Sequence, residues 1–181
     1  MNAFGTLGIR PRLVISEEEL RESFRDAGKR VHPDAGGQEG EFAALREAMA
    51  VLSSPSRRLR HWLELRGVEV DVRGTIAPDL MDLFAGIGSV SQRAEGVIRK
   101  RTEAKSALAK ALLEGETQLC RDDVESALAE VEENIQRICS GFPEMETASG
   151  LDPVECGRFV RDLSFLEKWK LGLRSIYVRL I

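Results

Sequence analysis

The run with the most chemical content is His32-Pro33-Asp34. An imidazole beside a carboxylate could serve general acid–base chemistry, because histidine titrates near neutrality. No nucleophile and no pair of acids is spaced around it to complete such a site. Pro33 fixes a turn, and Asp34 can accept hydrogen bonds from a partner arginine or from local backbone, so a recognition loop is the stronger reading. Arg21, Arg25 and Lys29 precede it at spacings of four, with Arg30 adjacent. On a helix these cations share a face. That face either meets an acidic partner or is a solvated surface, with Glu22 and Asp26 as intrahelical partners. His61 has no matching partner and reads as surface. The run Arg57, Arg58, Arg60 reads as a solvated helix face, Arg58 serving as a brace. Cys120, Cys139 and Cys156 are odd in number and lack C-x-x-C spacing. Neither a zinc site nor a disulfide framework is expected, and a reducing cytoplasm fits. No metal or cofactor is expected.

The elements that must position these residues read as helices. Ser16-Glu17-Glu18-Glu19 is a capping box, with Glu19 reaching back to the Ser16 amide. The helix it opens carries Leu20, Phe24, Ala27 and Val31, and should stop near Val31 because Pro33 disfavours helix before it. A polar loop, Ala35 to Gly40, leads to a second apolar seam: Phe42, Leu45, Met49 and Leu52. The two seams predict an antiparallel hairpin. Ser54 and Pro55 open a further helix that should end at Gly67. Residues 68–75 read as a linker. From Pro78, Leu80, Phe84, Ile87, Val90, Ala94 and Val97 form one face, with a bend or break expected at Gly86, Gly88 or Gly96. The segment continues through Leu113, and Gly115 should end it. Asp122 and Glu125 should open the next helix, with Val124, Leu128, Val131, Ile135 and Ile138 inward. Residues 141–150 read as a loop. Asp152-Pro153 begins the last helix, with Phe159, Leu163, Leu166, Trp169, Leu173, Ile176 and Leu180 on one side.

Composition sets outer limits. The chain is 43% apolar and 31% charged, which suits a helix-rich chain of one or two domains. The net charge of −4 and pI near 5.4 argue against nucleic acid as a partner. No stretch is long and apolar enough to span a membrane, and no secretory signal is visible at the N-terminus.

Helix, His-Pro-Asp loop, helix resembles the J domain of DnaJ-type co-chaperones. Two more segments extend the likeness: Phe4-Gly5-Thr6-Leu7-Gly8-Ile9, and the helix from Phe42 that ends Leu52-Ser53-Ser54-Pro55. Pro55, Arg58, Trp62, Leu63, Leu65 and Gly67 fall at the spacing of the HscB branch. Arg161-Asp-Leu163-Ser-Phe165-Leu166-Glu-Lys168 resembles that branch's last helix.

This resemblance implies an all-α fold with a J domain at 1–67 and a three-helix, client-binding bundle at 76–181. It implies no enzymatic chemistry. It implies that His32, Pro33, Asp34, Arg21, Arg25, Lys29 and Arg30 meet a DnaK/HscA-type chaperone and raise its ATPase activity. Helical spacing alone leaves Leu80, Met81, Phe84 and Phe165 open between bundle core and an exposed patch; the resemblance implies that they hold a client, the iron–sulfur scaffold IscU in that branch. Ala85, Gly86 and Gly88 stand where the branch carries acids, and Asp26 stands where J domains usually carry a basic residue. A different client, or a helical scaffolding protein with a non-activating J domain, are the rival readings.

Overall fold

The structure is a computed structural model that describes residues 2–31 and 39–181, and of Glu39 only the backbone. The expected His32-Pro33-Asp34 loop lies outside the described residues. The fold is all-α. Eight α-helices occur among the described residues: α1 (Ala3–Leu7), α2 (Glu17–Arg30), α3 (Glu39–Ser53), α4 (Pro55–Leu65), α5 (Met81–Glu103), α6 (Ala107–Cys139), α7 (Phe142–Thr147) and α8 (Pro153–Leu180). They group into two compact units. The first is Met1–Arg73 with Ile138–Ser164, and the second is Gly74–Arg137 with Phe165–Ile181.

In the first unit α3 packs against α1, α2 and α4. Leu20 and Ala27 of α2 and Leu45, Ala48 and Leu52 of α3 are buried. Phe42 stays 43% exposed, and its ring meets Phe24 with centroids 6.4 Å apart. Ser16 caps α2 by accepting the Glu19 amide at 3.1 Å. The Glu19 carboxylate does not complete the expected box; it pairs with Arg12. Ser54 caps α4 through the Arg57 amide, with Pro55 at its first position. Gly67, at φ +71°, closes α4. Its amide donates to Glu64 O and the Val68 amide to Leu63 O, the paired bonds of a Schellman stop.

Two first-unit features depart from expectation. His61 is not a surface residue, since its side chain is 14% exposed. Its ring stacks on Phe4, and its Nε2 accepts the Ala3 amide at 3.1 Å. The segment expected as a loop contains α7, because Phe142 is buried and Pro143 suits a helix's first turn. Glu146, on α7, accepts the Leu13 and Val14 amides of the α1–α2 connection.

The second unit holds α5, most of α6 and the C-terminal part of α8. Leu83, Ile87, Ala94 and Val97 of α5 are buried, as are Val124, Ala127, Val131 and Ile135 of α6, and Leu166, Leu173, Ile176 and Leu180 of α8. Ion pairs rim this core: Lys100–Glu116 at 2.7 Å, Arg93–Asp123 at 2.5 Å and Arg179–Glu95 at 2.5 Å. Arg101 and Arg121 both donate to Leu180 O, satisfying a carbonyl at the end of α8.

Helix boundaries here also correct expectation. α5 runs unbroken through Gly86, Gly88 and Gly96, and α6 runs unbroken through Gly115 and Asp122. The chain turns at Ala104–Ser106 instead, where Ala104 is extended and Ser106 Oγ accepts the Ala109 amide. Each interior glycine costs about 1 kcal/mol, offset in α5 by the burial of Leu83, Ile87, Ala94 and Val97 and in α6 by the strong helix formers of Ala107–Glu114. A serine cap therefore decides the break.

Candidate functional site

The α2 face is built by spacing alone. Arg21, Arg25, Lys29 and Arg30 are all exposed. Arg21 pairs with Glu17 at 2.9 Å and Lys29 with Asp26 at 2.9 Å. Among the described residues Arg25 and Arg30 have no ion pair. The hydrogen bond from Lys29, then the charges of Lys29, Arg25 and Arg30, hold the Asp26 carboxyl below its usual range. Asp26 is thus firmly ionised and subtracts one charge from the face. Beside Arg21 opens a groove of about 350 Å³ lined by Ile15, Leu20, Met49 and Pro55, with Glu17 and Arg58. Arg58 is buried and donates to Leu52 O at 2.8 Å, the bracing role expected of it. Arg57 and Arg60 pair with Glu47 and Glu64, as a solvated face does.

The second candidate surface lies where α5 begins, beside α8. Met81 and Phe84 are 49% and 47% exposed, and Phe165 is half-buried. The Phe84 ring lies 5.5 Å, and the Phe165 ring 6.1 Å, from the Trp169 ring. Trp169, expected in the core, is half-buried and joins the two phenylalanines. Leu80 does not belong with them; it is 1% exposed in the 3₁₀ turn Pro78–Leu80. The reason is periodicity. Leu80, Leu83, Ile87, Ala94 and Val97 make the inward stripe, which turns Phe84 outward together with Met81, three residues before it. An apolar, aromatic surface of this kind is suited to binding rather than chemistry.

Burial raises the Cys120 and Cys156 thiols above their ordinary range. Among the described residues no cluster of His, Cys, Asp or Glu could hold a metal ion. Among them, too, no helix is long and apolar enough to cross a membrane.

No family model matches the chain. A stretch of 45 residues is 47% identical to a tetratricopeptide repeat and J domain-containing co-chaperone of Cryptococcus neoformans, covering 25% of this chain and 9% of that protein. A co-chaperone protein HscB homolog of Shewanella baltica is 24% identical over 177 residues, 93% of this chain and 92% of the relative. The chain resembles the HscB branch of J-domain co-chaperones from end to end. The fold agrees: the structure of chaperone HscB from Vibrio cholerae matches over the whole of both chains, with a TM-score of 0.57 at 20% identity. What the two share is the all-α fold, over the full length of both chains.

Sequence reasoning missed the roles of three residues: His61, Glu146 and Trp169. The first two bond to backbone amides 58 and more than 130 residues away, which side-chain pattern does not reveal. Trp169 had a visible signal, since it falls four residues after Phe165 and therefore on the same helix face.

Proposed function

We propose that this chain is a co-chaperone that raises the ATPase activity of a DnaK/HscA-type chaperone and presents a client to it. The carrying observation is the exposed cationic face of α2, Arg21, Arg25, Lys29 and Arg30, which leads directly into His32-Pro33-Asp34. Charge of this kind steers and orients an acidic partner more than it adds affinity. The His-Pro-Asp loop supplies the activating contact, and the partner performs the chemistry. Met81, Phe84, Phe165 and Trp169 form the client surface, and an IscU-like iron–sulfur scaffold is its occupant.

The test is single-turnover ATP hydrolysis by an HscA-type chaperone with and without the chain. Wild type should accelerate the step. His32→Gln should abolish the acceleration while helical content and melting temperature stay unchanged. Arg25→Ala should weaken it, and added salt should weaken wild type in the same sense, since exposed charges are screened over about 8–10 Å. Acceleration that survives His32→Gln removes the proposal.

A second reading keeps the chaperone and changes the client. Ala85, Gly86 and Gly88 supply no charge on α5 beside Phe84, and an acid-seeking scaffold would find little there. Pull-down with purified IscU-like scaffold separates the two: no binding by wild type leaves the chaperone role and reassigns the client.

A further inference from the structure

Leu108, Leu112 and Leu119 lie along one side of α6 at 71%, 76% and 67% exposure. With Ala111 and Gly115 between them they share one stripe of the helix. The buried positions of α6, Thr117, Cys120 and Val124, belong to the opposite side. A Cβ added at Gly115 would meet nothing within 4 Å, so the stripe is open at its centre. Neither candidate surface described above uses it.

The charges flanking the stripe differ in sign. Lys105, just before α6, is exposed and has no ion pair among the described residues. Past Leu119 come Asp122, Glu130 and Glu133, exposed and likewise without an ion pair among the described residues. A face that runs basic, apolar, acidic along its axis is complementary to itself when reversed. A two-fold axis between Leu113 and Glu114 would set Leu108 of each chain against Leu119 of the other, Leu112 against Gly115 and Lys105 against Asp122. Gly115 and Ala111 would let the two backbones approach closely. Such a contact is isologous and closes on itself.

We propose that α6 is a self-association helix: the Leu108–Leu112–Leu119 stripe packs antiparallel on the same stripe of a second copy, with Lys105 facing Asp122 across the interface. Three leucines and their neighbours bury less than the ~800 Å² per partner of a standard stable interface. The dimer is therefore weak, with Kd on the order of 10–100 µM.

Sedimentation velocity of the full chain from about 1 µM to 1 mM, a range that spans such a Kd, tests this. Wild type should pass from monomer to dimer. Leu112→Glu should raise Kd about tenfold or more, with helical content and dilute-solution melting temperature unchanged. Lys105→Glu and Asp122→Lys should each raise Kd severalfold, and the double reversal should restore it, a coupling that a folding defect would not mimic. The proposal is overturned by a wild type that stays monomeric up to about 1 mM, by a dimer indifferent to Leu112→Glu, or by charge reversals that simply add. Binding of the chain to phosphatidylserine vesicles that Leu112→Glu abolishes would also overturn it, assigning the stripe to a membrane surface.

Discussion

Phe165 and Leu166 are neighbours on α8, about 100° apart around the helix, and the structure gives them different work. Leu166 is fully buried, whereas Phe165 is half-buried against Trp169. Leu166→Ala should cost about 2–5 kcal/mol as a cavity in a packed core. Phe165→Ala should cost less stability and more client affinity. Trp169→Ala should cut affinity at least as far, since its ring touches both Phe84 and Phe165. Thermal unfolding and scaffold binding of the three variants check this. Equal destabilisation by Phe165→Ala and Leu166→Ala, with binding intact, would place Phe165 in the core and remove the client surface. In the first unit, His61→Phe keeps a ring against Phe4 but removes the acceptor of the Ala3 amide. An unpaired, partly buried donor costs about 1–3 kcal/mol. A denaturant midpoint unchanged by His61→Phe would show that the stack alone holds α1.

At the scale of helices, one chemical change should have opposite signs at two sites. Gly115 sits inside α6 with open space where a Cβ would go. Gly115→Ala should therefore stabilise by up to about 1 kcal/mol, through helix propensity and a less flexible unfolded chain. Gly157, on α8, meets the linker: an added Cβ would lie 2.7 Å from Asp71 O. Neighbouring Arg161 donates to Arg73 O at 2.9 Å, so this part of the linker is held against α8. Gly157→Ala must push the strap off, at a cost of about 1–3 kcal/mol. Urea midpoints in dilute solution give both signs. A Gly157→Ala variant as stable as wild type would mean that the 71–73 segment yields freely. Propensity alone ranks the two glycines equally, and only the neighbour across space distinguishes them.

For the molecule as a whole, the thiols report on integrity. Cys120 and Cys156 are buried, and Cys139 is half-buried. Burial raises the folded pKa of the first two above the ordinary value of 9.0. The neutral thiol is the favoured folded form. Its contribution is complete below the unfolded thiol's pKa and is lost as pH rises through the folded value. Stability should therefore decline above about pH 9, and less so in the Cys120→Ala, Cys156→Ala double variant. Alkylation at pH 8 should modify Cys139 first and the other two only on unfolding. Fast modification of all three in the native chain would mean that the cores of the units open readily.

The sequence by itself determined the all-α class, the caps at Ser16 and Ser54, the stop at Gly67, the last helix from Pro153 and the cationic order of α2. These are local: a cap, a left-handed glycine or an i, i+4 spacing is complete within a few residues. The likeness to the HscB branch was legible for the same reason, in short runs of fixed spacing. What only the tertiary structure decided depended on groups distant in the chain. Leu83 rather than Phe84 took the inward stripe, which buried Leu80 and exposed Phe84 to Trp169. Glu146 and His61 found their partners among the backbone amides of Leu13, Val14 and Ala3. Every residue carries such an amide except proline, so no side-chain pattern marks which one a distant acceptor will meet.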